Sequence, residues 1–247
     1  MKAMVFAAGL GTRLRPLTDS MPKALVPVCG QPLLWHVLHK LRKAGYDELI
    51  VNVHHFAEQI KDYLAGQDFG VRIHISDESD MLRETGGGIR HAQWFLDGSE
   101  PFLVHSVDII SDLDLAWFRG QMRPGALATL LVSERQTQRY LLFNDDMRLA
   151  GWTNIATGEV RSPYKNLKPE ECRRYAFAGI HCISPAIFKL FEERRCQERF
   201  PIIDFYLDVC AEHPIYGAAP EKLRMIDVGK LDSLEAATSL AQSLLMP

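Results

Sequence analysis

The 247-residue sequence is 47% apolar and carries a formal net charge of −3 at pH 7. That length suits one large domain, or a domain with a small appendage, built on a sizeable core. The charge balance excludes the broad basic footprint of a nucleic-acid binder, and no run of about 18 apolar residues offers a membrane span.

Met1-Lys2-Ala3 leads almost directly into the first predicted strand, residues 4–8, so the expectation is a chain without a signal peptide. The five cysteines are widely spaced and form no CxxC, which speaks against a disulfide framework or zinc site and for a reducing cytoplasm. The strand breaks into the turn Gly9-Leu10-Gly11-Thr12, followed by Arg13, Arg15 and, behind Pro22, Lys23. Glycines let backbone approach a ligand, and successive N–H groups in such a turn form an anion nest. Arg13 adds a planar fork and Lys23 a point charge, so the stretch is fitted to a polyphosphate. Gly-x-Gly alone is equally a tight turn with surface cations. A dinucleotide fingerprint would need a third glycine where Leu14 stands and an acid closing the second strand; a P-loop would need Gly-Lys-Ser/Thr.

Residues 32–44 predict a helix with Leu33, Val37, Leu38 and Leu41 on one face, ended by Gly45. A strand at 48–53, a helix at 56–64, a strand at 71–76, a helix at 86–96 and a strand at 102–107 follow. This alternation predicts an α/β fold, a mainly parallel, Rossmann-like sheet with helices on both faces. Ligands in such sheets sit beyond the carboxyl ends of the strands. The opening turn, residues 77–85 and Asp108 are therefore expected in one cleft. Beyond Gly125 come a strand at 126–133, short antiparallel pieces at 140–143, 148–152 and 159–161, and a strand at 175–183. Helices at 185–193 and 203–212, a strand at 223–228 and a closing helix at 232–245 complete the reading.

Gly9-Leu10-Gly11-Thr12-Arg13-Leu14-Arg15-Pro16-Leu17-Thr18, with Met21-Pro22-Lys23 and Leu25-Val26-Pro27-Val28, closely resembles the signature of the sugar 1-phosphate nucleotidyltransferases. Ala24 stands where that family usually has proline. The absence of hexapeptide repeats matches a short form lacking the C-terminal β-helix of some members. The resemblance implies one nucleotidyltransferase domain over 1–247, with a nucleotide-binding half to about 125 and a small antiparallel sugar-binding portion within 126–247. It also implies Arg13 and Lys23 as catalytic cations, and Ala7, Ala8, Gly9, Gly11, Thr12 and Arg13 as nucleotide contacts.

Glu84-Thr85-Gly86-Gly87-Gly88-Ile89 opens a predicted helix, where each glycine costs about 1 kcal/mol relative to alanine. Close approach by something flat or anionic at the helix N-terminus is one explanation, a flexible loop-to-helix junction the other. The segment resembles the family's base-recognition element, which adds Glu84, Thr85, Gly86 and Gly87 to the nucleotide contacts. Its form looks most like the branch containing N-acetylmuramate 1-phosphate uridylyltransferases. Asp108 closes a strand as Ser106-Val107-Asp108, where the family usually has Asn-Gly-Asp. Asp227-Val228-Gly229 resembles the family's Asp-Val-Gly-Thr, with Lys230 in place of threonine. Asp108 and Asp227 are thus the implied ligands of one Mg²⁺, although Asp227 alone reads equally as a turn acid. Asp112 and Asp114 read as loop and N-cap acids. Phe177-Ala178-Gly179-Ile180 resembles a sugar-contacting segment at Gly179. Lys165 is a further candidate sugar contact, as is Asp204, although a helix N-terminal acid is the favoured reading of Asp204. The nine histidines show no metal-binding spacing and read as packing or surface residues.

The implied reaction joins a nucleoside triphosphate to a sugar 1-phosphate with Mg²⁺, releasing pyrophosphate. UTP with N-acetylmuramate 1-phosphate is the favoured pair. GTP with mannose or heptose phosphates, and CTP with phosphocholine, are alternatives. A catalytically silent nucleotide-sugar-binding subunit is an alternative of another class. No nucleic-acid or membrane partner is expected, and oligomeric state is not legible.

Overall fold

The computed structural model describes residues 1–245. Its elements are β1 (Lys2–Phe6), β2 (Pro27–Val28), β3 (Gln31–Pro32), α1 (Leu33–Lys43), β4 (Glu48–Val53), α2 (Ala57–Ala65) and β5 (Arg72–Asp77). There follow α3 (Glu84–His91), α4 (Gln93–Leu96), β6 (Phe102–Ser106), β7 (Ile109–Ser111), α5 (Leu115–Gly120) and β8 (Ala128–Ser133). The chain continues as β9 (Arg139–Phe143), β10 (Leu149–Asn154), β11 (Glu159–Arg161), β12 (Arg173–Ile183), α6 (Ala186–Glu193), α7 (Ile202–Val209), β13 (Ile215–Ala218), β14 (Met225–Asp227) and α8 (Ser233–Leu245).

The main sheet runs β11-β10-β9-β12-β6-β1-β4-β5, with β8 and β13 branching from β12. Strands β6, β1, β4 and β5 are mutually parallel, and β12 joins them antiparallel to β6. Alternation along the strands sorts side chains between two cores. Ala3, Val5, Leu49, Val51 and Leu103 face α1, α2, α5 and α8, while Met4, Ile50, Phe102 and Val104 face α3, α4, α6 and α7. The expected α/β architecture is therefore present, with the antiparallel portion at β9–β11. None of the described helices is long and apolar enough to cross a membrane.

Several expectations shift. Strand β1 ends at Phe6, because the Ala7 N–H donates to the Asn52 side chain instead of continuing the ladder. The helix expected at 86–96 begins at Glu84 and breaks at Ala92 into two pieces. The strand expected at 223–228 shrinks to β14 and leaves the main sheet, pairing antiparallel with β7. This two-stranded ribbon positions the site, since β7 directly follows Asp108 and β14 ends in Asp227. Its far end is clamped by Asp112, which accepts from Arg224 N and Nε at 2.9 and 2.8 Å.

Candidate active site

The parallel strands β1, β4, β5 and β6 end on one side of the sheet, where a cleft of about 610 Å³ opens. Ala7, Ala8, Gly9, Gly11, Thr12, Arg13 and Lys23 line it, facing Glu84, Thr85 and Pro201, with Ser106, Asp108 and Gly229 at the floor. The opening turn, the segment after β5 and Asp108 thus meet as the strand order requires. A Cβ added at Gly9 would meet nothing within 4 Å, so the turn presents bare backbone there. Gly11 has a different task. Its φ of 64° is left-handed, and an added Cβ would lie 2.9 Å from Thr18 Cγ2 and 3.0 Å from Lys23 Cβ. Glycine at this point lets the turn fold down onto Thr18, whose hydroxyl donates to the Gly11 carbonyl at 2.8 Å.

Lys23, only 9% exposed, forms an ion pair with Asp108 across the cleft floor. Asp227 lies beside them, because Asp227 pairs with Ile109 in the ribbon and Val228 N–H donates to the Asp108 carbonyl at 2.8 Å. Asp227 Oδ1 is buried without a hydrogen-bond partner. Burial, and then the Asp108 carboxylate, push its carboxyl above the ordinary value, against the pull of Lys23, Arg135 and Arg13. The Arg13 guanidinium packs on Gly229, 2.9 Å from where a Cβ would stand. Two carboxylates converge here from different strands, and one of their oxygens is buried and unpartnered. That donor set fits a hard divalent cation that takes its remaining oxygens from substrate and water. No group of three or more His, Cys, Asp or Glu among the described residues forms a protein-only cage.

The far wall corrects one reading of the glycine run. The N–H groups of Gly86 and Gly87 are both taken by the Phe200 carbonyl, at 2.9 and 3.2 Å, so they are not free for an anion. Their bare Cα atoms serve packing. A Cβ on Gly86 would come within 2.3 Å of the Phe200 ring, and one on Gly87 within 2.1 Å of the Glu198 carbonyl oxygen. Glu84 and Thr85 do face the cleft. Glu84 holds a left-handed φ of 60° and pairs with Arg199 at 2.9 Å, while the Thr85 hydroxyl accepts from Ile202 N–H at 2.9 Å. Gly87→Ala is expected to lower Tm. The helix-propensity gain of about 1 kcal/mol is outweighed by an overpacking cost of about 1–3 kcal/mol or more, because the opposing atom is backbone and cannot rotate away. A thermal melt showing an unchanged or higher Tm would refute the packing role.

Among the sugar candidates, Gly179 sits at a register shift in β12 with φ 74°, where an added Cβ would lie 3.0 Å from Ser106 Oγ. It therefore packs directly over the cleft floor. Asp204 is committed to Arg161 at 2.9 Å, in the first turn of α7 beyond Pro201. Lys165 is corrected: it lines a separate depression with Asn144, Asp145 and Lys168, because its loop folds back through Ser162 Oγ to the Ala150 carbonyl at 2.7 Å. Asp114 caps α5 and Asp112 clamps the ribbon, in line with their structural reading. Most of the histidines bond backbone carbonyls, and His181 bonds the Tyr206 hydroxyl at 2.8 Å. Sequence reasoning missed Asn52, Glu78 and Arg135. The first two are interior side chains at strand ends, and Arg135 is an exposed loop residue that donates to the Phe177 carbonyl at 3.2 Å.

Comparison with known proteins adds an independent line. The sequence model described as "Nucleotidyl transferase" matches residues 2–243. The chain is similar to the N-acetylmuramate alpha-1-phosphate uridylyltransferase of Caulobacter vibrioides, 48% identical over 111 residues covering 44% of this chain and 46% of that protein. It is also similar to the protein of the same name from Neisseria meningitidis serogroup B, 47% identical over 116 residues covering 46% and 49%. The chain spans about half the length of the curated relatives it matches. Among solved structures, a putative glucose-1-phosphate thymidylyltransferase from Bacillus anthracis in complex with a sucrose superposes with a TM-score of 0.81. It is 20% identical, over 100% of this chain and 97% of that one, a likeness that speaks for the fold alone.

Proposed function

The chain belongs to the nucleotidyl transferase family, and we propose that it transfers a nucleotidyl group from a nucleoside triphosphate to a sugar 1-phosphate, releasing pyrophosphate. The observation that carries this reading is the convergence of the glycine turn, Arg13, Lys23, Asp108 and Asp227 at one end of the parallel strands. Residues to about 125 form the nucleotide-binding half in this reading, and the remainder the sugar-binding half.

The attacking group is a phosphate oxygen of the sugar 1-phosphate, already anionic near pH 7, so no general base is needed. The barrier is repulsion between two polyanions together with alignment, and alignment alone is worth roughly 7–11 kcal/mol. Asp108 and Asp227 would hold Mg²⁺, which when bound neutralises charge on the triphosphate oxygens and eases departure of pyrophosphate. The bare backbone at Gly9 cradles phosphate. Arg13 takes the α-phosphoryl oxygens and the departing pyrophosphate. Lys23 exchanges Asp108 for the two phosphates about to be joined.

For the substrate pair we favour UTP with N-acetylmuramate 1-phosphate. The support is the name shared by the two bacterial relatives, each matched over just under half of this chain. The test crosses five nucleoside triphosphates with N-acetylmuramate, N-acetylglucosamine, glucose, mannose and heptose 1-phosphates and phosphocholine, in Mg²⁺, reading pyrophosphate release. UTP with N-acetylmuramate 1-phosphate is expected to dominate. Dominance of GTP with mannose or heptose phosphate would overturn the pair and keep the reaction. Nucleotide-sugar binding with silence across the grid would overturn the reaction.

A further inference from the structure

Two buried polar side chains beneath the cleft belong to neither the phosphate turn nor the metal acids. Asn52, 2% exposed, ends β4, and Glu78, 0% exposed, follows β5. Asn52 Oδ1 accepts the Ala7 N–H at 2.8 Å, and its Nδ2 donates to Glu78 Oε1 at 2.8 Å. Glu78 Oε2 accepts the Arg83 N–H at 3.1 Å. The ends of this chain of bonds are functional: Ala7 opens the phosphate turn, and Arg83 precedes Glu84 and Thr85 on the opposite wall. Glu78 is itself fixed by its backbone, with its N–H on the Val53 carbonyl at 2.8 Å and its carbonyl bonded by His54 Nδ1 at 2.7 Å.

Among the described residues no cation joins the carboxylate, for the Arg83 guanidinium turns away to Asp80 at 2.7 Å. Glu78 is thus held by neutral donors alone, a costly arrangement that is stable only when every bond is made. Gly88 makes room for it: an added Cβ would lie 3.0 Å from Glu78 Oε1 and 3.3 Å from Asn52 Nδ2. The third glycine of the run, like the first two, is accounted for by packing inside the protein.

We propose that Asn52 and Glu78 form a strut that sets the separation of the two cleft walls, making them positioning residues for the nucleotide. This rests on the nucleotide-transfer reading above. The polarity of the strut dictates both residue types. Ala7 requires an acceptor at position 52. Arg83 requires an acceptor at position 78. One bond between the two side chains must then run from a donor to an acceptor. Asn52→Asp sets two carboxylates against each other, and Glu78→Gln sets donor against donor. The double variant Asn52→Asp with Glu78→Gln reverses the central bond and satisfies all three.

The test is the dissociation constant of Mg²⁺-UTP and Mg²⁺-GTP by calorimetry, well below each variant's Tm, for wild type, both single variants and the double variant. Each single variant is expected to bind about tenfold or more weakly, and the double variant to recover to within about threefold. KM for the sugar 1-phosphate should move little. Single variants that bind like wild type, or a folded double variant as weak as the singles, would overturn the strut. If the single variants do not fold, amide exchange in the wild type decides. Protection at Ala7 and Arg83 should rise together when nucleotide is added, and independent behaviour would overturn the proposal. Wild type that binds neither nucleotide would overturn the reading of the cleft and the strut with it.

Discussion

Lys23→Ala is expected to lower kcat by about a hundredfold or more, the usual cost of losing one preorganised charge at a reacting phosphoryl group. The amine is buried, faces Asp108, and stands on the same floor as Asp227 and Arg13. In the proposed reaction, truncation removes a fixed cation from where the two polyanions would meet, and it leaves the Asp108 carboxylate without its partner. Both effects oppose turnover. Lys23→Arg is not expected to rescue, because Lys23 Cβ lies against Gly11 in the tight fold of the turn, and a guanidinium reaches further and needs a planar berth. Arg13→Ala should also cost about a hundredfold. Steady-state pyrophosphate release gives kcat and KM separately. Turnover within tenfold of wild type would remove the altered residue from the chemistry.

Asp227→Asn is expected to abolish Mg²⁺-dependent turnover and yet stabilise the metal-free chain. The sign follows from the carboxyl. Burial and Asp108 raise its pKa in the folded state above the ordinary 3.8. Between the unfolded and folded values the native state holds more protons than the unfolded one, so stability falls as pH rises through that window. At pH 7 the whole cost is present, and Asn removes it. A higher Tm in EDTA is therefore the expected result. The gain should shrink as pH falls through the folded pKa and vanish below the ordinary 3.8. Asp108→Asn should show no such gain, because it deprives buried Lys23 of its partner. A lower Tm for Asp227→Asn at pH 7, or preserved turnover, would contradict the account of this site.

The contrast between the two acids explains what could be read from sequence. The glycine turn's place at the cleft was legible because its pattern is local: strand, glycines and cations lie within 25 consecutive residues. Asp108 was legible as the acid at the end of a predicted strand. Asp227 was named through its likeness to the family's Asp-Val-Gly-Thr, but its place beside Asp108 was not legible, because β14, three residues long, leaves the main sheet for β7. The glycine run was visible but its reason was not. Phe200, whose carbonyl takes the Gly86 and Gly87 N–H groups, lies over a hundred residues away in sequence. Asn52 and Glu78 meet only through the parallel register of β4 and β5, in which Asn52 stands opposite Ser76 and Val53 opposite Asp77. Lys165 sits in a loop tied back to β10 by the Ser162 hydroxyl on the Ala150 carbonyl, a contact that no local pattern encodes.

These placements favour one bond-making event, attack at the α-phosphorus, with the cations and the two acids gathered where charge accumulates. The most direct measurement uses a nucleoside triphosphate labelled separately at the α- and γ-phosphates, with the sugar 1-phosphate and Mg²⁺. The account predicts that the α-label appears in the nucleotide sugar and the γ-label in pyrophosphate, with neither product formed when the sugar 1-phosphate is omitted. γ-Label recovered in orthophosphate or on the sugar would mean hydrolysis or phosphoryl transfer, and would contradict it.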